Sequence, residues 1–319
     1  MDEVFDVMII GAGAAGLTAG IYASRAKLST LILNEGAVGG QMVLTEEIAN
    51  YPGVPATKGY ILANIMKQQA KSFGCKIKSN VKIARYQFED KVKTVELEDG
   101  RSFQAKSVIL TPGGRPRSLN ILGEDQFKGK GISYCATCDG DFFTGKEVVV
   151  VGGGNSALEE AVALTQYATR VTIVHQFDHF QAFKHAVEEA QKNPKIEFVM
   201  ESELRGFYGN GVLQKVEIEH LPTGKRNELK TDGTFIFVGY QPNTESIKEL
   251  VQLNDRNEIV VDTDMKTSIE GVFAAGDCIA KRYRQVTTAV AEGTIAALSA
   301  GRYLSEKQVK TEELSEQEA

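Results

Sequence analysis

The chain has 319 residues, 42% hydrophobic and 24% charged, with four cysteines and no tryptophan; at roughly 150 residues per domain this suggests about two domains, each large enough to bury a core without staples. Its 36 basic and 42 acidic side chains leave a formal charge of −6 and a pI near 5.5, so no global positive field draws it to nucleic acid or to an anionic membrane. No run approaches the roughly 18 apolar residues of a membrane span. Asp2 and Glu3 stand where a signal peptide would be basic, and the cysteines are too few for a disulfide scaffold; a soluble, cytoplasmic protein is expected.

Val4–Ile10 reads as a strand running straight into Gly11-Ala12-Gly13-Ala14-Ala15-Gly16, and residues 17–26 read as a helix of small and apolar side chains. A second strand, 30–33, ends at Asn34-Glu35, roughly 24 residues past the first glycine, near where a ribose-binding acid is expected. Residues 76–110 alternate as strands around an Asp99-Gly100 hairpin signal. Glu147–Val151 then repeats the opening pattern, entering Gly152-Gly153-Gly154-Asn155-Ser156-Ala157, a helix at 158–167 and a strand at 171–174. Residues 196–238 form a second β-rich stretch, with turn signals at Gly209-Asn210-Gly211 and Thr223-Gly224.

Glycine and proline clusters at Gly113-Gly114 and at 239–243 read as linkers. The chain then returns to its first domain through Gly271-Val272-Phe273-Ala274-Ala275-Gly276-Asp277 and a helix at 287–304, and the charged residues 306–319 read as a frayed tail. The expected fold class is α/β: two Rossmann-like, three-layer dinucleotide-binding domains, the second inserted into the first. The boundaries are 1–113 and 243–319 for the first domain and 114–242 for the insertion.

The two turns carry a physical rationale. Gly11 permits the tight turn, Gly13 lets backbone N–H groups approach a pyrophosphate at a helix N-terminus, and Gly16 lets helix and strand pack closely. Glu35 is placed to accept ribose hydroxyls, and Asp277, at a second strand end, could hold a further hydroxyl of a dinucleotide or simply cap a helix. Cys135-Ala136-Thr137-Cys138 is followed by Asp139-Gly140. Two thiols at this spacing close a reversible disulfide or supply half of a zinc site. The histidines, His175, His179, His185 and His220, offer no pattern to complete such a site, and His175 and His179 at i, i+4 fit a surface helix pair, so no metal is expected. A redox pair would draw protons through a nearby acid such as Asp139. Cys75 and Cys278 read as buried small hydrophobes.

These segments, with Gly39-Gly40-Gln41, Asn50-Tyr51-Pro52-Gly53, Glu159-Glu160-Ala161 and Tyr283-Arg284-Gln285, occur in an order that resembles the low-molecular-weight thioredoxin reductase family over nearly the whole chain. The resemblance implies FAD held by Gly11, Gly13, Ala14, Ala15, Glu35, Gly40, Gln41, Asn50, Asp277, Arg284, Gln285 and Val286. It implies a homodimer whose inserted domain swings between two arrangements. It also implies that Cys138 is the flavin-proximal sulfur, that Cys135 attacks the thioredoxin disulfide, and that Asp139 handles protons.

The departures concern the electron donor. NADPH-using members carry His-Arg-Arg and a further arginine after the second strand of the insertion, whereas this chain reads His175-Gln176-Phe177-Asp178-His179-Phe180-Gln181. A guanidinium offers phosphate a permanent charge and a forked donor, and each lost charge-assisted bond removes about 1.5–3 kcal/mol. The nucleotide site formed by Gly152, Gly154, Asn155, Ser156, His175, Gln176, Phe177 and Gln181 therefore reads as degenerate, as in the ferredoxin-dependent flavin thioredoxin reductases. The expected donor is not NADPH, and the resemblance offers ferredoxin in its place. An NAD(P)H-dependent enzyme with an atypical site and a flavin dithiol oxidase are the alternatives. The family's Ala-Thr-Gly at the end of the first domain's last strand is here Thr111-Pro112-Gly113, where proline fixes φ and removes a donor.

Overall fold

Val4–Ile10 forms strand β1, with Val7 and Ile9 facing one core and Met8 and Ile10 another, which is why its last four residues are apolar without alternation. The computed structural model describes residues 3–45 and 47–317, of which 310–317 are described by backbone alone; Asp2 of the N-terminal reading and residues 318–319 lie outside it. In chain order there follow α1 (Ala14–Arg25), β2 (Thr30–Asn34), α2 (Gly59–Ser72), β3 (Lys76–Ser79), β4 (Ile83–Gln87), β5 (Lys93–Leu97), β6 (Ser102–Leu110) and β7 (Gly114–Pro116). The chain continues through α3 (Glu124–Phe127), β8 (Ile132–Ser133), α4 (Ala136–Asp139), β9 (Glu147–Val151), α5 (Asn155–Leu164), β10 (Arg170–Val174), α6 (Lys184–Lys192) and β11 (Ile196–Val199). A meander of β12 (Ser202–Asn210), β13 (Val212–His220) and β14 (Lys225–Lys230) precedes β15 (Gly233–Ile236), β16 (Tyr240–Pro242), β17 (Val272–Ala274) and α7 (Val286–Gln317).

The chain forms two compact units, one made of the residues up to Arg115 together with those from Gln241 onward, the other of Pro116–Tyr240. In the first, β3-β2-β1-β6 run parallel, and the far side of β6 is shared: its first half pairs antiparallel with β5 and its last residues, Val108 to Leu110, pair parallel with β17. The Asp99-Gly100 hairpin forms, with Gly100 at φ 85. Helices α1, α2 and α7 cover one face through Leu17, Ile21, Leu62, Met66 and Ala296, and Phe88, Val95, Ile247 and Ile259 fill the other. In the second unit the parallel sheet β11-β10-β9-β15-β8 is covered by α5 and α6 on one face and by the antiparallel meander on the other. Both units are α/β with parallel sheets at their centres, as expected of Rossmann-like domains.

Helix boundaries differ from the sequence reading in an instructive way. Both turn-following helices begin earlier, at Ala14 and Asn155, directly after the extended glycines Gly13 and Gly154; alanine, asparagine and serine at these starts carry no apolar period, so the periodic signal begins only at the first core leucine. Residues 306–317 are not a frayed tail but the continuation of α7. Glu, Lys and Gln are strong helix formers, and the Arg302–Glu306 pair at i, i+4 adds a small increment. Among the described residues no helix is long and apolar enough to cross a membrane.

Candidate functional site

The first turn sits between β1 and α1 and is built by close contacts. Gly11 N donates to Leu33 O at 2.8 Å, and Gly11 has φ 106, with Thr111 O lying 2.2 Å from where a Cβ would stand. Gly16 packs as closely on Gly11 O, so a Cβ on Gly16 would lie 2.0 Å away. A Cβ on Gly13, by contrast, meets nothing within 4 Å: this is the open side of the cradle, bordered by Gly40, which packs against the Gly13 Cα. Asn34 locks the turn to the end of β2, accepting from Ala12 N (2.9 Å) and donating to Gly36 O (2.6 Å). Glu35 is exposed at that strand end. Thr111, in the altered linker, donates to Ile10 O and Gly11 O, while Pro112 O and Gly113 O both accept from Asn243.

The other predicted FAD residues come from distant parts of the chain, and the residue before one of them meets α1 directly. Gly276 lies against Ala15, and Gly276 N donates to Glu292 Oε2 at 3.0 Å. Asp277 follows, with Lys281 Nζ 3.1 Å from its Oδ1 and 2.8 Å from Glu292. Asp277 Oδ1 is buried and, beyond the Lys281 ion pair, has no hydrogen bond among the described residues, an acceptor with room for a hydroxyl donor. Burial pushes the Glu292 carboxyl up, against the pull of Lys281. Asn50 Nδ2 donates to Gln285 Oε1 at 3.2 Å, Gly40 and Gln41 open a 3-10 turn, and Val286 starts α7. Arg284 bonds to the buried Glu258. An open glycine cradle at a helix N-terminus, an exposed acid at the β2 end and a buried carboxylate oxygen held only by a lysine together fit a dinucleotide such as FAD.

The second turn has the same frame and a different cover. Gly152 N donates to Val174 O (3.1 Å), as Gly11 N does to Leu33 O. His175 occupies the place of Asn34, the residue after the one whose carbonyl accepts this bond, but its ring lies over Gly153, 2.4 Å from where a Cβ would stand. The ring is buried and stacks on Phe180 (5.7 Å), with Phe177 edge-on at 5.3 Å; burial holds its pKa below the usual imidazole range. The following loop folds back on the turn: Gln181 N donates to Gly153 O at 2.8 Å and Phe183 N to Asn155 Oδ1 at 2.7 Å. Residues 175–179 are loop, and His175 Nε2 contacts His179 O, so the surface helix pair expected of the two histidines does not form. Ser156, Gln176, Phe177 and Gln181 are exposed. Behind the loop, Phe180, Phe198, Met200, Asp178 and His179 line a cavity of about 400 Å³.

Cys135 and Cys138 form a disulfide, with Cα atoms 5.3 Å apart, and among the described residues no cluster of metal-ligating side chains exists. Ala136 anchors the short helix α4 in the core below α5. Burial pushes the Asp139 carboxyl up, opposed by the Ser133 hydroxyl, which donates to Asp139 Oδ2 at 2.5 Å. Ser133 Oγ also accepts from Cys135 N at 3.1 Å. Ser133 thus ties the disulfide backbone to the acid; nothing in its sequence context marks it except proximity to the Cys-x-x-Cys. Cys75 and Cys278 are buried, and desolvation raises their thiols to about 11 and about 12.

Residues 5–293 match the family described as pyridine nucleotide-disulphide oxidoreductase. The chain is 44% identical over 306 residues to the 34.2 kDa protein in rubredoxin operon of Clostridium pasteurianum, covering 96% of this chain and 99% of that one. It is 44% identical over 311 residues to the thioredoxin reductase of Peptoclostridium acidaminophilum, covering 95% and 98%. The solved thioredoxin reductase from Streptococcus pyogenes MGAS5005 matches with a TM-score of 0.91 at 39% identity, over 96% of this chain and 100% of that chain.

Proposed function

The chain belongs to the pyridine nucleotide-disulphide oxidoreductase family, and from that membership we propose that it is an FAD-dependent thioredoxin reductase whose electrons leave through Cys135 and Cys138. The disulfide in a Cys-x-x-Cys turn beside a half-buried acid is the observation that carries this. The first unit would hold FAD through Gly11, Gly13, Ala14, Ala15, Glu35, Gly40, Gln41, Asn50, Asp277, Arg284, Gln285 and Val286. Bound FAD supplies a carrier able to take electrons singly or in pairs and to reduce the disulfide. Cys138 is the sulfur that faces the electron source. Cys135, as thiolate, attacks the thioredoxin disulfide; the mixed disulfide is resolved by Cys138, so two electrons and two protons pass to thioredoxin as the Cys135–Cys138 bond re-forms. Asp139, kept toward its protonated form by burial, moves the proton at the departing sulfur, and Ser133 aims it.

The donor in this proposal is not NADPH but a one-electron carrier such as a reduced ferredoxin. Three uncharged side chains, Gln176, Phe177 and Gln181, stand where a 2′-phosphate would need cations, and the loop carrying them is bonded to the turn it would have to share with a nucleotide. A homodimer is part of the same proposal: Tyr22, Tyr60, Ile61, Ile65, Ile295 and Leu298 are exposed on α1, α2 and α7, helices that pack on one another, and a second copy would cover them.

The test follows flavin bleaching of the FAD-loaded protein with NADPH, NADH and reduced ferredoxin in turn, then thioredoxin reduction with the effective donor. Rapid bleaching by micromolar NADPH would remove the donor claim. Thioredoxin reduction that survives Cys135→Ser or Cys138→Ser would remove the function itself.

A further inference from the structure

The acid named so far, Asp139, is not the sole carboxylate at the disulfide. Helix α5 packs directly beneath α4: Ala136 shares a core with Ala157, Ala161 and Leu164, and Gly140 lies against Leu164 and Tyr167. Glu160, on α5, points its carboxylate into this junction. The backbone amides of Ala136 and Thr137, inside the Cys-x-x-Cys turn, act on it and pull its pKa down. Its Oε2 is buried and has no hydrogen-bond partner among the described residues.

We propose that Glu160 is a positioning residue that occupies the amide groups of the Cys135–Cys138 turn and, by its charge, keeps the dithiol strongly reducing. The inference rests on the redox role of the disulfide proposed above. N–H groups at the start of a helical turn ordinarily stabilise the thiolate of the leading cysteine and lower its pKa. Here those donors are engaged by a carboxylate, and a negative charge held in a poorly solvated place disfavours a thiolate beside it. Destabilising the reduced form lowers the potential of the pair, which suits a protein that must pass electrons on. Burial raises the Glu160 carboxyl, with the Ala136 and Thr137 amides and the neighbouring Glu159 acting on it in opposite senses. Asp139 on α4 and Asp141 beyond it are the other acids facing the turn.

The experiment equilibrates the FAD-loaded protein with dithiothreitol buffers at pH 8. In the exchange the Cys135–Cys138 bond breaks and takes up two electrons and two protons, while dithiothreitol loses both and closes its own disulfide. Glu160→Gln keeps the shape and the acceptor but removes the charge. The expected result is a roughly tenfold shift toward the dithiol, about 30 mV less reducing, with the pH midpoint of iodoacetamide alkylation moved down. Glu160→Asp, which keeps the charge, is expected to stay within twofold of the wild type. A Gln variant within twofold of wild type with an unmoved alkylation midpoint would overturn the proposal, as would an Asp variant that shifts as far as Gln. If wild-type protein forms no dithiol in any buffer, it is the redox role of the disulfide that fails.

Discussion

The two glycine turns share one backbone design and diverge in what stands beside it. Each follows a buried parallel strand, each takes its first N–H bond from the neighbouring strand end, and each leads into a helix. At the first, the strand ends on Asn34, whose amide braces the turn from the side and leaves Gly13 facing open space, with an acid, Glu35, next in line. At the second, His175 lies across the turn, Gln176 replaces the acid, and the turn's carbonyl is bonded to the chain's own Gln181. A strand–turn–helix is therefore a shared frame, and the side chains around the strand end set how open it stands.

The sharpest way to break this contrast is one methyl group placed in each turn. Gly13 has an ordinary φ of −78 and room for a Cβ, so Gly13→Ala should fold, with an unchanged melting temperature of the FAD-free protein. Its affinity for FAD should fall on the order of a hundredfold, the equivalent of one or two bonds to a charged group, read from flavin fluorescence on dialysis. Gly154→Ala, at φ −89 with no neighbour closer than 3.9 Å, should leave FAD content and thioredoxin reduction unaltered.

Restoring charge sharpens it from the other side. The triple variant Gln176→Arg, Phe177→Arg, Gln181→Arg should bind NADPH at least about tenfold more tightly than wild type, given 1.5–3 kcal/mol per charge-assisted bond, as judged by the NADPH concentration needed to bleach the flavin. At the far wall of the first site the readout is stability. Lys281→Met leaves Asp277 and Glu292 without their cation and should cost about 2–4 kcal/mol of stability at neutral pH. Glu292 already sits above its usual range in the folded protein and would rise further. A carboxyl with a raised folded pKa contributes stability below its unfolded pKa and loses it as pH climbs through the folded value, so the melting temperature of the variant should fall more steeply than wild type between pH 5 and pH 8. The least perturbing check concerns the thiols. With Cys75 at about 11 and Cys278 at about 12, iodoacetamide at pH 8 should modify only Cys135 and Cys138 in the reduced native protein, seen as two adducts by mass spectrometry.

Much of this fold is legible in the sequence because its turns depend on residues that few others can replace. Gly11 and Gly16 tolerate no Cβ, and Asp99-Gly100 names a hairpin. The Cys-x-x-Cys declares a disulfide chemistry before any geometry is known. What could not be read are contacts between residues far apart that have no periodic signature: Asn50 with Gln285, Gly276 with Ala15, Glu160 beneath the disulfide turn. Local ties by common residues, such as Ser133 to Asp139 or Gln181 to Gly153, escaped for another reason: serine and glutamine occur everywhere, and only the folded backbone shows which of them is engaged. The extended α7 escaped because a charged stretch without apolar anchors reads as a loose end, whereas helix propensity and an established upstream helix suffice to continue it.

Because β17 completes the far side of β6 and α7 packs on α1, the first unit is finished by residues that leave the ribosome after the whole intervening unit has been made. During synthesis its opening β-α-β segment waits, with a raw strand edge along the end of β6 and an uncovered helix face. The interrupted body therefore gains its cofactor late, once the segment bearing Asp277 has arrived, while the inserted body is free to fold first. A nascent chain stalled before residue 270 should display a mature disulfide-bearing unit attached to a companion that cannot yet retain its yellow colour.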